Sequence, residues 1–268
     1  MNIQEQLMHS TICIKMVENG NVVGLGTGFF VSIPVGKNEY KIALVSNKHV
    51  LLNKNDIILT FTTAKNGEPD FGKVIPIPIA DIKGSVIGHP NPNVDVAVLI
   101  CTGLFNQFPN LLYFKAIPFD MLSDFQDSEL SVAESIYFIG YPDGRFDQQN
   151  NLPLVRTGII ASDPKKDFNG QPQFIIDAQV FPGSSGSPVY INLTYEDMKN
   201  GNYVIGKPKI KILGIISATM VKNNRLIPIQ TDTSQINFGV QEEIGLGIVF
   251  KSTAIKETIN LAVKSQQT

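Results

Sequence analysis

The chain has 268 residues, 43% hydrophobic and 17% charged, with 22 basic and 24 acidic side chains and a formal net charge of −2. That is ample apolar material for one large domain or two small ones, and without a basic excess a nucleic-acid partner is not expected. Two cysteines, Cys13 and Cys101, exclude a disulfide scaffold.

In chain order, the polar segment Met1–Ser10 lacks the basic start and apolar core of a signal peptide. No apolar stretch approaches the roughly 20 residues of a membrane-spanning helix. The expectation is a cytoplasmic protein with no membrane partner. Residues 3–9 predict a short helix. Short, β-branched or alternating runs then follow at 11–16, 22–31, 40–46, 56–62, 73–79 and 94–101, with turn signals such as Asn66-Gly67 between them. Cys13 and Cys101 each sit inside an apolar run and read as buried free thiols. Residues 102–130 are irregular and rich in Phe and Pro, with a helical turn expected at 120–125. More strands are predicted at 135–139, 154–161, 173–180, 187–191, 209–218, 237–239 and 245–250. Many short strands with turns every 8–12 residues and almost no helical period read as an all-β sandwich or barrel. One convincing helix closes the series: Ile255, Ile259 and Ala262 share a face, and Ser252 or Thr253 supplies a cap.

The stretch Phe181-Pro182-Gly183-Ser184-Ser185-Gly186-Ser187-Pro188 stands out. Glycines there allow close backbone approach, and backbone N–H groups aimed beside a serine hydroxyl would form an oxyanion hole next to a nucleophile. The same composition is also that of a plain turn between strands. The three histidines, His9, His49 and His89, all precede Ser185. An order with histidine after serine is therefore absent, and no aspartate occurs before His49. The remaining order is His49, Asp95, Ser185. Asp95 heads an apolar run, Val94-Asp95-Val96-Ala97-Val98-Leu99-Ile100, where a carboxylate needs a donor that an imidazole supplies. His89, in a Pro/Asn-rich loop, is the rival base and is expected to be solvated; His9 is expected on the surface. The dispersed histidines and cysteines match no metal-ligand spacing. Gly24-Leu25-Gly26-Thr27-Gly28 has no helix after it, so a dinucleotide site is not expected either; no cofactor and no metal are foreseen.

At these residues the chain resembles the trypsin-like (chymotrypsin-fold) serine peptidases, most closely their bacterial HtrA/Deg-type protease domain without PDZ. Gly26-Thr27-Gly28-Phe29-Phe30-Val31, Val45-Ser46-Asn47-Lys48-His49-Val50, Asp95-Val96-Ala97-Val98-Leu99, Asp177–Pro188 and Gly245-Leu246-Gly247-Ile248-Val249-Phe250 carry the likeness, in family order. Ser187 departs from it, standing where the family has glycine, and residues 191–212 form a longer connection than usual. The resemblance implies two packed six-stranded antiparallel β-barrels and a C-terminal α-helix in a single peptidase domain spanning 1–268. Its N-terminal barrel would cover about 11–105, a linker 106–130, the second barrel 131–250 and the helix 252–265. It further implies a serine endopeptidase with catalytic His49, Asp95 and Ser185 and an oxyanion hole from the backbone N–H groups of Gly183 and Ser185. Ser217, Ala218 and Thr219 would pair with an extended peptide substrate. Val180, Thr219 and Leu246 would wall a pocket with Gln179 near its base, favouring small or medium apolar residues at the cleaved position. Loop ordering by a partner or by oligomerisation is expected to activate it. A catalytically silent peptide binder and an esterase using the same site are the alternatives.

Overall fold

The computed structural model describes residues 2–193, 196–199, 202–205, 209–225 and 239–266; of 196–199, 202–205, 221–225 and 239–243 it describes the backbone alone. Helix α1 (Ile3–Ser10) opens the chain. Asn2 and Glu5 form a reciprocal cap there, each side chain taking the other's backbone N–H, which satisfies two donors of the first turn.

The first half is a sheet of nine strands: β1 (Thr11–Glu18), β2 (Asn21–Gly36), β3 (Glu39–Ser46), β4 (Asp56–Lys65), β5 (Glu68–Ile79), β6 (Val86–Gly88), β7 (Ala97–Ile100), β8 (Leu112–Tyr113) and β9 (Ile117–Pro118). The short helix α2 (Lys48–Leu51) follows β3, and α3 (Thr102–Gln107) follows β7. Along the main path the order is β5-β4-β1-β2-β3-β7-β6, so this half is a sheet with two ends where the sequence implied a closed six-stranded barrel. Its two extra strands come from the segment expected to be a linker. There β8 pairs with β4, and β9 runs parallel to β2. Aromatic packing explains why that segment is not loose: its Phe114, and Phe105 just before it, pack on the buried ring of Phe30 at 5.6 and 5.3 Å between centroids, with Phe61 stacked at 5.8 Å. In place of the expected helical turn over 120–125 there is a single 3₁₀ turn at Phe119–Met121.

The second half closes. Strands β10 (Ser135–Gly140), β11 (Leu154–Ile160), β12 (Gln173–Asp177), β13 (Pro188–Leu193), β16 (Lys209–Arg225) and β17 (Gly239–Lys251) form a six-stranded antiparallel barrel in the order β10-β11-β12-β17-β16-β13. The long connection after β13 carries its own hairpin, β14 (Glu196–Lys199) with β15 (Asn202–Ile205). The strand expected at 237–239 lies outside the described residues except for Gly239, which opens β17.

The final helix α4 (Ser252–Ser265) packs where the halves meet. Its Ala254, Ile255, Ile259 and Ala262 share one buried cluster with Val94, Val96 and Val98 of the first half and Ile212, Ile215 and Phe250 of the barrel. Lys251 occupies the cap position with no side-chain cap bond; Ser252, expected to cap, is buried and donates its hydroxyl to the carbonyl of Ser123 at 2.7 Å. Burial decides this, because a fully enclosed hydroxyl satisfies the nearest orphan carbonyl.

Phe30 is 1% exposed at the centre of the aromatic cluster. Phe30→Ala is expected to cost about 3–5 kcal/mol in urea unfolding, with the loss appearing as a lower midpoint at unchanged slope.

Candidate active site

Strand register brings the site together. On the first sheet Val45 pairs with Val98 and Ser46 with Ala97, so the residues just after β3 and just before β7 leave the sheet side by side. Those residues carry His49 and Asp95. His49 stands on the helical turn α2, not at the strand end expected from the sequence. Its ring Nδ1 lies 2.7 Å from Asp95 Oδ2, and its backbone N–H donates to Asp95 Oδ1 at 3.2 Å. Asn47 donates its side-chain amide to the Asp95 carbonyl at 2.7 Å, which fixes the turn against the acid-bearing segment.

The barrel repeats the device. Pro188 pairs with Ile215 at the end of β13, so the loop before β13 runs beside the continuation of β16. Gly186 donates its N–H to Ile216 O at 2.8 Å, and Ser185 Oγ donates to Ser217 O at 3.1 Å. Two glycines shape this loop, Gly183 at φ +86° and Gly186 at φ +93°, a region that L side chains rarely adopt. A Cβ at Gly186 would also overlap the carbonyl oxygen of Thr27. Ser187, in the place of the family's glycine, is fully buried against Gly140, and its hydroxyl has no hydrogen-bond partner among the described residues.

Ser217 joins the two halves. Its hydroxyl donates to Asp95 Oδ2 at 2.6 Å while its carbonyl accepts Ser185 Oγ. The sequence assigned Ser217 only to substrate pairing; that its side chain reaches Asp95 depends on how the halves pack, and no local pattern signals it. Asp95 is 24% exposed. Burial pushes its pKa up, but the hydrogen bonds from His49 and Ser217 and the adjacent imidazole outweigh that, and the carboxyl is held below its ordinary value. An acceptor at Nδ1 fixes the neutral imidazole as the Nδ1–H tautomer and leaves Nε2 free to accept a proton.

The residues that the resemblance assigned to a pocket lie on three neighbouring segments. Asp177 pairs with Leu246, and Thr219 with Gly247, which sets Val180 against the same turn of β17. Val180 is buried, whereas Gln179 is exposed, and Arg156 donates to the Gln179 carbonyl at 2.7 Å. Ala218 is exposed and Thr219 half-buried, on the strand segment that follows Ser217.

The other histidines lie elsewhere. His89, expected in solvent, is 8% exposed. Its Nε2 is 3.0 Å from Glu257 Oε2 on α4, and its Nδ1 accepts the N–H of Asn91 at 3.1 Å, so both ring nitrogens are engaged. His9, expected on the surface, is half-buried with its ring edge-on to Tyr113 at 4.9 Å. Cys13 and Cys101 are free and buried, and burial pushes their thiols up to about 11 and about 12.

A serine in a glycine-flanked loop on one β half, linked through Ser217 to a histidine–carboxylate pair on the other, is the layout of the trypsin-like serine peptidases. The family model for the trypsin-like peptidase domain matches residues 26–194, more than half of the chain, and the chain belongs to that family. A crystal structure of the serine endoprotease from Yersinia pestis superposes at a TM-score of 0.53 with 15% identity, covering 97% of this chain and 65% of that one. At that identity the likeness speaks for the fold. No curated protein matches the chain at a significant level.

The sign of the Asp95 shift makes a stability prediction. A carboxyl whose pKa is lower in the folded state stabilises the fold above its unfolded value of 3.8 and loses that contribution as pH falls through the folded value. Urea unfolding of wild type and Asp95→Asn from pH 7 to pH 3 is therefore expected to show wild type more stable at neutral pH, with the gap closing only below about pH 4.

Proposed function

We propose that the chain is a serine endopeptidase acting through His49, Asp95 and Ser185. The carrying observation is the continuous set of hydrogen bonds from His49 through Asp95 and Ser217 to Ser185. When substrate enters, the Ser185 hydroxyl leaves the Ser217 carbonyl for His49 Nε2, a contact that commonly tightens only in the complex. Ser185 Oγ attacks the peptide carbonyl, and His49 takes the proton and returns it to the leaving amine. Asp95 keeps the imidazole in its tautomer and stabilises the imidazolium. The developing oxyanion is met by the N–H groups of Gly183 and Ser185, and water then releases the acyl group by the reverse use of His49.

The substrate is a protein or peptide lying extended along Ser217–Thr219, adding a strand through its backbone. Its cleaved residue sits among Val180, Thr219 and Leu246. A pocket with buried Val180 for a wall and an amide, Gln179, where a basic-specific enzyme would need an acid, favours small or medium apolar side chains.

A fluorophosphonate probe is expected to label wild type at Ser185 and to leave Ser185→Ala unlabelled, which separates an enzyme from a silent peptide binder. On a peptide substrate Ser185→Ala should lower kcat by about 10⁶-fold, and Asp95→Asn by about 10⁴-fold. Turnover of a small ester without any peptide cleavage would identify an esterase instead. In a fluorogenic peptide panel, Ala, Val or Leu at the cleaved position should give the highest kcat/KM; cleavage mainly after Arg or Lys overturns the pocket assignment.

A further inference from the structure

Every carbonyl from Phe181 to Ser185 accepts a hydrogen bond. Phe181 O takes Ser184 N–H at 3.0 Å, Pro182 O takes Asp143 N–H at 2.6 Å and Ser184 O takes Ser187 N–H at 3.0 Å. The other two go to one residue: Gly183 O accepts the hydroxyl of Thr27 at 2.7 Å, and Ser185 O accepts the Thr27 N–H at 2.8 Å. Among the described residues, no acceptor takes the N–H of Gly183 or of Ser185.

In a trans peptide the C=O and the next N–H point in opposite directions. Holding Pro182 O therefore aims the Gly183 N–H, and holding Ser184 O aims the Ser185 N–H. Each aim also depends on the peptide plane that follows the residue, and Thr27 holds both of those planes. Its hydroxyl accepts the N–H of Tyr141 at 3.2 Å while donating to Gly183, so one buried side chain also ties the loop to the turn that supplies Asp143. Ser46 Oγ holds Thr27 itself, donating to its carbonyl at 2.6 Å.

We propose that Thr27, through its hydroxyl, is a positioning residue for the Gly183 oxyanion donor, holding the nucleophile loop in its transition-state-binding shape before substrate arrives. This rests on the endopeptidase reading of the same site. Thr27 touches neither substrate nor the reacting atoms; it acts through Gly183.

Thr27→Val keeps the shape and volume and removes the hydroxyl; Thr27→Ser keeps the hydroxyl. Rates are taken per fluorophosphonate-labelled site, so that unfolded protein does not count. Thr27→Val is expected to lower kcat roughly 10- to 100-fold, below the full loss of one oxyanion donor, about 10²–10³-fold, with KM nearly unchanged. Its affinity for a peptide boronate, a transition-state analogue, should weaken by the same factor as kcat/KM. Thr27→Ser should restore both. A Thr27→Val enzyme with wild-type kcat per labelled site and wild-type boronate affinity overturns the proposal, whatever its melting temperature. Should Thr27→Val not fold, Thr27→Ala is measured the same way, and failure of both to fold assigns Thr27 a structural role only and also overturns it. A wild type that neither labels nor cleaves peptides would instead overturn the endopeptidase reading itself.

Discussion

The arrangement depends on one carboxylate. Asp95 stands in a run of valines that pack at the join of the two halves, and a charge in that setting is retained only with enough donors around it. It has three: the backbone N–H and the ring Nδ1–H of His49 from the sheet, and the hydroxyl of Ser217 from the barrel. A shift of one half against the other would take from the carboxylate the donor that Ser217 supplies. The Ser217 contact thus ties the half that orients the imidazole to the half that carries Ser185.

Around it, the site is built from strand ends. β3 with β7, and β13 with β16, are antiparallel pairs, and His49, Asp95 and Ser185 sit just beyond the last paired residues of each. Such positions inherit the precision of the ladder while escaping its alternation of faces. The glycine-rich turn before β13 completes the design: no side chain fits at Gly186 beside the Thr27 carbonyl, so the loop can press its backbone against the first half.

Much of this was legible in the sequence. Short β-branched runs marked nearly every strand of the barrel, and the count and order of histidines, together with the oddity of Asp95 in an apolar run, pointed to His49, Asp95 and Ser185, which a chain of hydrogen bonds through Ser217 links. What was not legible depends on contacts between distant segments. The linker over 106–130 looked irregular because β8 and β9 are two residues each, too short to show alternation, and their partners lie on β4 and β2. His89 looked solvated because its sequence neighbours are polar, while its burial comes from α4, far along the chain. Ser252 had the chemistry of a cap, but the carbonyl of Ser123 claimed its hydroxyl. The contacts of Ser217 with Asp95 and of Thr27 with Gly183 are likewise set by packing across the two halves.

The place of α4 has a consequence in time. Val94 and Val96, the two neighbours of Asp95, share a buried cluster with Ala254, Ile255, Ile259 and Ala262, which lie far along the chain. Contacts so distant in sequence form late, because the chain between them must first be ordered. The setting of Asp95 is thus completed late in folding, and the valines beside the carboxylate stay uncovered until α4 docks.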